Sequence, residues 1–192
     1  MRRGSILSRI LYKRFCLLLV AACIVACTSS QADNSVALNQ APVRVYFSPD
    51  GGCTDAIVNA IDNARSNIFV QAYSFTSAPI SKALLNAHKR GIQVEVILDK
   101  SQKSQRYTSA TFLANGGIST FIDTRHAIAH NKIMIIDRET VITGSFNFTK
   151  AAEERNAENV LILRSKDLAK IYFHNWQNHR EHSELYRSHY SS

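Results

Sequence analysis

The chain reads as an α/β protein, a mixed, largely parallel β-sheet with helices on both faces. Three observations lead there. β-branched runs alternate with stretches of helical period from residue 43 onward. Gly, Asn and Pro punctuate most of the junctions. With 192 residues, 45% of them hydrophobic, the chain is long enough for one domain with a sizeable core.

Residues 43–47 (VRVYF) alternate as a strand, and Ser48-Pro49-Asp50-Gly51-Gly52 is a turn. Residues 54–64 carry Ala56, Ile57, Ala60, Ile61 and Ala64 at helical spacing. A strand follows over 68–73. Ser77 is placed to cap the next helix, with Pro79 in its first turn and Gly91 as its stop after Lys89-Arg90. Residues 92–98 form a strand, 106–114 a helix closed by Asn115-Gly116-Gly117, and 118–122 a short strand. Past residue 147 the pattern gives a short helix over 150–155, a strand over 159–163 and a long final helix over 167–186. Trp176, Tyr186 and the C-terminal His residues are assigned to the packed face of that helix. No low-complexity tract or long repeat interrupts the order. A short echo links YSFT (73–76) to NFT (147–149).

The first 32 residues have the layout of an export signal: a basic start, an apolar run over 15–27 (FCLLLVAACIVAC), then small polar residues. That run is short of the ~20 residues a membrane span takes. Several endings stay open. Ser30-Gln31-Ala32 offers cleavage before Asp33, and residues 24–27 resemble a lipobox in which Cys27 is acylated. An uncleaved anchor is a third. The Arg-rich start also has a mitochondrial presequence look, against which the unbroken apolar run argues. The reading is an exported bacterial protein, periplasmic or lipid-anchored, with membrane contact only through the signal or lipid. Residues 33–42 form a linker and 43–190 the folded domain. Arg2, Arg3, Arg9, Lys13 and Arg14 account for five of the formal +8, so the domain itself carries +3. That mild excess permits a polyanionic substrate without demanding one. Cys16, Cys23 and Cys27 lie in the leader, leaving Cys53 without an internal disulfide partner.

The chemistry concentrates in residues 130–147, HNKIMIIDRETVITGSFN. Four apolar residues after Lys132 form a buried strand, Asp137 opens the polar break, and Val141-Ile142-Thr143 starts the return. A hairpin centred between Arg138 and Glu139 sets His130 opposite Asn147 and Lys132 opposite Ser145. Residues two apart share a face, so an imidazole, an ammonium, a hydroxyl and an amide are expected to cluster. Imidazole, with a free pKa of ~6.5, serves as nucleophile, base or acid near neutrality. Donors converging beside it suit a reaction in which charge grows on oxygen, and a phosphodiester fits.

His130-x-Lys132, four residues, Asp137, six residues, Gly144-Ser145-x-Asn147 matches the HKD motif of the phospholipase D superfamily. Residues 72–99 and 144–159 resemble the small bacterial endonucleases of that superfamily, which carry one motif per chain. The resemblance spans about residues 43–187. It implies a two-step, metal-free mechanism without cofactor. One His attacks phosphorus to form a phosphohistidine, and a second protonates the leaving oxygen and then activates water. Glu158 matches the carboxylate that bonds the catalytic His in this family. Asp137 ties a turn together and takes no part in the chemistry. His88, His126, His174, His179, His182 and His189 begin no second motif. The chain therefore holds half a site, and a two-fold homodimer is expected to complete it.

Weaker signals remain. His126 and His130, four apart, have helical zinc-ligand spacing, but His130 begins a strand and no third ligand lies nearby in sequence, so no metal is assigned. Lys100, Lys103 and Arg106, with Tyr107, could line a groove for nucleic acid or be a solvated face. The leading function is a non-specific endonuclease on DNA or RNA. A lipid phosphodiesterase or phosphatidyl transferase, and a non-catalytic DNA-binding surface protein, are the alternatives.

Overall fold

The computed structural model describes residues 35–103 and 108–187. The export signal, Cys27, Arg106 and Tyr107 lie outside the described residues. Within them, eight strands form one sheet: β1 (Val43–Ser48), β2 (Asn67–Ala72), β3 (Gln93–Asp99), β4 (Ser119–Asp123), β5 (Lys132–Ile136), β6 (Thr140–Gly144), β7 (Glu158–Arg164) and β8 (Glu184–Leu185). Their spatial order is β1-β7-β6-β5-β2-β3-β4-β8. The helices are α1 (Cys53–Asp62), α2 (Ala78–Lys89), α3 (Ser109–Asn115), α4 (Lys150–Glu154) and α5 (Lys166–His182).

The mixed sheet with helices on both faces is as the sequence implies, but its parallel part is smaller. Only β2–β3 and β3–β4 pair in parallel, where helices return the chain. The other named pairs run antiparallel: the β5–β6 hairpin, β7 and β1 on one flank, and β8 at the opposite edge.

Alternation assigns each central residue to one of two cores. Ile68, Val70, Ala72, Val94, Val96, Leu98, Met134 and Ile136 face the first, which takes Ile57 and Ile61 from α1, Ile80 and Leu84 from α2, and Leu113 from α3. Phe69, Ile97, Phe121, Ile133, Ile135 and Val141 face the second, closed by Ala169, Phe173 and Trp176 of α5. This explains the apolar runs 68–70 of β2 and 133–136 of β5: both their faces are covered. Trp176 Nε1 donates to the Val70 carbonyl at 3.0 Å and seats α5 on the sheet.

Several ends differ from the sequence expectation. Ser77 holds the N-cap position of α2 but makes no side-chain cap bond. Thr149 and Ser165 do cap α4 and α5. The Glu153 carboxylate reaches over from α4 to accept from the Gly52 and Thr54 N–H groups at the start of α1. The final helix stops at His182, and Glu184-Leu185 add an edge strand on β4.

The hairpin register is one residue shorter than expected, with Met134 facing Ile142 and Ile136 facing Thr140. Asp137 and Arg138 both adopt positive φ, at 53° and 54°, and Glu139 N–H closes the turn on the Ile136 carbonyl at 3.1 Å. Asp137 ties this turn to the start of β2. Its carboxylate accepts from the N–H groups of Arg65, Ser66 and Asn67 and from the Ser66 hydroxyl. Burial works to raise this carboxyl, but the Ser66, Arg65 and Asn67 bonds together hold it below its usual range.

Asp137→Asn is expected to cost about 2 kcal/mol or more at pH 7, since bonds to a charged acceptor are the stronger kind. A carboxyl depressed in the folded state stabilises fully above its unfolded pKa of about 3.9 and less as acid titrates it in the fold. The difference in Tm between parent and variant should therefore narrow below about pH 4; a gap constant from pH 7 to 3 would contradict this account.

Candidate active site

Lys132 opens β5 opposite Ala72 and is 7% exposed. Its ammonium lies 2.9 Å from the His130 carbonyl and 3.1 and 3.2 Å from the two ring nitrogens of His130. The lone pairs of those nitrogens diverge, so the firm bond is the one to the carbonyl and the ring contacts are electrostatic. Burial pushes the Lys132 ammonium below its ordinary range, and the Glu158 carboxylate pulls the other way. The exposed His130 ring packs on Tyr73 with centroids 4.5 Å apart, and the Lys132 ammonium lies 5.2 Å from the Tyr73 ring centre. Tyr73 was not singled out in the sequence. It directly follows β2, the strand beside β5, and only the YSFT echo pointed to its neighbourhood.

The loop leading to His130 is held at both ends. Ala129 N–H donates to the buried Asp99 carboxylate at 2.7 Å, and the Asn131 carbonyl accepts from Tyr73 N–H at 2.8 Å. His130 therefore sits on a fixed backbone with a free ring.

The one-residue shift in register alters how Ser145 arrives. Strict pairing would put Gly144 across from Lys132, with Ser145 on the opposite face. Instead the chain leaves β6 at Gly144, whose φ is 147°. A Cβ there would stand 2.2 Å from the Asn159 carbonyl oxygen, so glycine is required. Ser145, freed from alternation, donates to Glu158 Oε2 at 2.5 Å. Its oxygen accepts from the Asn159 N–H and side-chain amide at 3.1 and 3.2 Å. Glu158 also accepts from the Asn156 amide at 3.2 Å. Within this chain Glu158 thus bonds Ser145, where a bond to His130 had been expected. Asn147 presents a buried side-chain oxygen with no hydrogen-bond partner.

The echo noted in the sequence is spatial. Phe75 and Phe148 form a parallel bridge with their rings edge-on at 5.6 Å, and Thr76 and Ser77 both donate to the Phe148 carbonyl. Two strand-to-helix segments therefore run side by side under the site.

Other residues fall as follows. Lys100 and Lys103 are exposed on a short 3-10 turn after β3, and Lys103 lies 3.9 Å from Glu184. Cys53 starts α1, fully buried; burial, with Glu153 and Glu158, pushes its thiol up to about 11, which leaves it unreactive. His126 does not pair with His130 for metal. It gathers with Asp123, His179 and His182, whose donor atoms lie within 4.8 Å of one another. That cluster was missed because α5 returns its His residues from the far end of the chain. A cavity of about 440 Å³ bordered by Arg44, Asn63 and Asp137 lies at the turn end of the hairpin, away from His130.

Residues 57–179 match the family model described as cardiolipin synthase, PLD-like domain. A phospholipase D of Rickettsia felis is 46% identical over 143 residues, covering 74% of this chain and 72% of that one. A mitochondrial cardiolipin hydrolase of Canis lupus familiaris is 28% identical over 158 residues, covering 77% and 62%. The crystal structure of Nuc from Salmonella typhimurium, a phospholipase D family member, superposes with a TM-score of 0.75 at 39% identity, covering 78% of this chain and all of that one. The motif, the fold and these matches place the chain in the phospholipase D superfamily, as a phosphodiesterase hydrolase.

Proposed function

We propose that the chain is an exported endonuclease, cutting DNA or RNA without marked sequence preference at a site shared by two copies. The observation that carries this reading is one nucleophile-bearing half-site, open to solvent and polar around its reacting groups. His130 and Ser145 are exposed, Lys132 is buried beneath the ring, and Glu158 adjoins Ser145. An open polar half-site admits a polymer backbone from the side.

In the first step the His130 imidazole of one copy attacks phosphorus, and the P–O bond to the leaving oxygen breaks as the P–N bond forms. The His130 of the second copy gives that oxygen its proton. It then takes a proton from water, whose oxygen displaces the first imidazole. Lys132, Asn147 and Ser145 would steady the charge on the non-bridging oxygens. The exposed β1 stripe of Val43, Val45 and Phe47, at 44, 48 and 65%, supports a second copy. Phe47 pairs with Asn159, whose N–H and side-chain amide bond Ser145, so the stripe ends one strand away from that residue. An isologous contact across it would bring two such sites together.

A second reading, a lipid phosphodiesterase, draws on the names of the relatives and on Ile128, 59% exposed two residues before His130. Parallel assays on plasmid DNA, single-stranded RNA and cardiolipin vesicles separate the two. Cleavage of vesicles alone would overturn the endonuclease.

His130→Asn should lower turnover by at least about 10⁴-fold while leaving Tm within a few degrees. Acid-quenched parent protein should carry phosphate from a labelled oligonucleotide on His130, and sedimentation should give twice the chain mass. An active monomer would refute the shared site. Glu158→Gln removes an upward influence on the Lys132 ammonium, so the titration of Lys132 followed by NMR should move to lower pH; an unmoved titration would detach Glu158 from Lys132.

A further inference from the structure

Asp123 ends β4 with its side chain fully buried. Its Oδ1 accepts from the Arg125 N–H at 3.1 Å, which fixes the carboxylate. Its Oδ2 then faces three imidazoles: His126 Nδ1 at 3.0 Å, His179 Nδ1 at 2.7 Å and His182 Nε2 at 3.4 Å. The three rings stand together with centroids 4.7, 5.1 and 5.4 Å apart.

Hydrogen bonding does not satisfy this group. The carboxylate has about four lone-pair sites and meets five donors, the N–H groups of Arg125 and His126 and three ring nitrogens, with His126 Nδ1 also 3.2 Å from Oδ1. His182 Nε2 is buried and makes no hydrogen bond. Protonating all three rings would pack three cations around a single anion. A divalent cation resolves both problems, since each nitrogen lone pair and the carboxylate oxygen can point at it together.

We propose that Asp123, His126, His179 and His182 form a structural transition-metal site of the zinc class, fastening the His130-bearing loop to the last helix. Three imidazoles and a carboxylate are borderline donors that suit Zn²⁺ over Ca²⁺ or Mg²⁺. Around a tetrahedral Zn²⁺ with bonds of about 2.0–2.1 Å, neighbouring donors stand roughly 3.3 Å apart. The distances from Asp123 to the nitrogens bracket that value, and donors up to 4.8 Å apart would have to draw together toward it on binding. His126 is the freest of the four, with 44% of its side chain exposed. The sequence supplies the ligands as two short pairs, Asp-x-x-His at 123–126 and His-x-x-His at 179–182. The second pair lies one turn apart on α5, on the same face.

Four protein donors fill a tetrahedral shell and leave no position for a reacting water, so the metal is structural. It acts on the loop. Residues 124–131 leave β4 at one ligand, carry a second at His126, and reach His130 just after Ala129 is bonded to Asp99. Joining that loop to the end of α5 would lower the frequency with which either opens.

The test uses the full chain freed of metal by chelator, then titrated with ZnCl₂ by calorimetry and with CoCl₂ by visible absorption. One Zn²⁺ per chain is expected, with a rise in Tm of about 10 °C at saturating metal and the d–d bands of four-coordinate Co²⁺. His126→Ala and His182→Ala should each weaken zinc binding by at least about 100-fold. Their Tm in chelator should match that of the metal-free parent, which shows that both still fold. His130→Asn should bind zinc as the parent does. The proposal is overturned if the parent shows neither zinc heat nor a Tm change, or if His126→Ala and His182→Ala bind as the parent does. It is equally overturned if His130→Asn loses the metal. Each outcome is read without measuring cleavage, so it stands apart from the substrate question.

Discussion

A primary ammonium almost entirely removed from water, at the first residue of a central strand, is the constraint on which this structure turns. Isolated, such a charge would cost several kcal/mol. Lys132 is kept by the His130 carbonyl, the face of Tyr73 and the opposing charge of Glu158. Those partners come from the loop just before β5, from the residue just after β2 and from β7, so strand order is what assembles them. The pairing of Lys132 with Ala72 sets the height of the ammonium, and His130 follows two residues before it. At the other end of the strand, Asp137 locks the turn to residues 65–67.

The second half of the half-site depends on a close approach. Gly144 lets β6 come against Asn159 and then turn out of alternation, so that Ser145 meets Glu158. Phe75 and Phe148 pack beneath, joining the segment after β2 to the segment after β6. The floor of the site is therefore apolar and shared by two strand-to-helix connections. The reacting groups are the polar rim above it.

Much of this was legible in the residues. The order of strands and helices followed from periodicity, and the spacing of His130, Lys132, Gly144, Ser145 and Asn147 marked the site. What was not legible came from distance in sequence or from turn geometry. The hairpin register failed by one because Asp137 and Arg138 take left-handed conformations that neither residue type announces. The parallel share of the sheet was overestimated because strands β5 to β8 all join it antiparallel, only β5 and β6 through a hairpin. Asp123, His126, His179 and His182 were unreadable as a group because fifty-odd residues of sequence separate the two pairs that the fold brings together. Glu158 was found, but its partner was not, since only the chain's exit at Gly144 delivers Ser145 to it.

A hydroxyl has a single proton, and that of Ser145 is already spoken for by a carboxylate at 2.5 Å. Any incoming anion must outbid Glu158 for that proton and leave the carboxylate to find another donor. Ordinary solution anions, bound through one or two weak contacts, lose that contest. A phosphodiester that also engages the Lys132 ammonium competes on better terms, so the resting site screens what enters it.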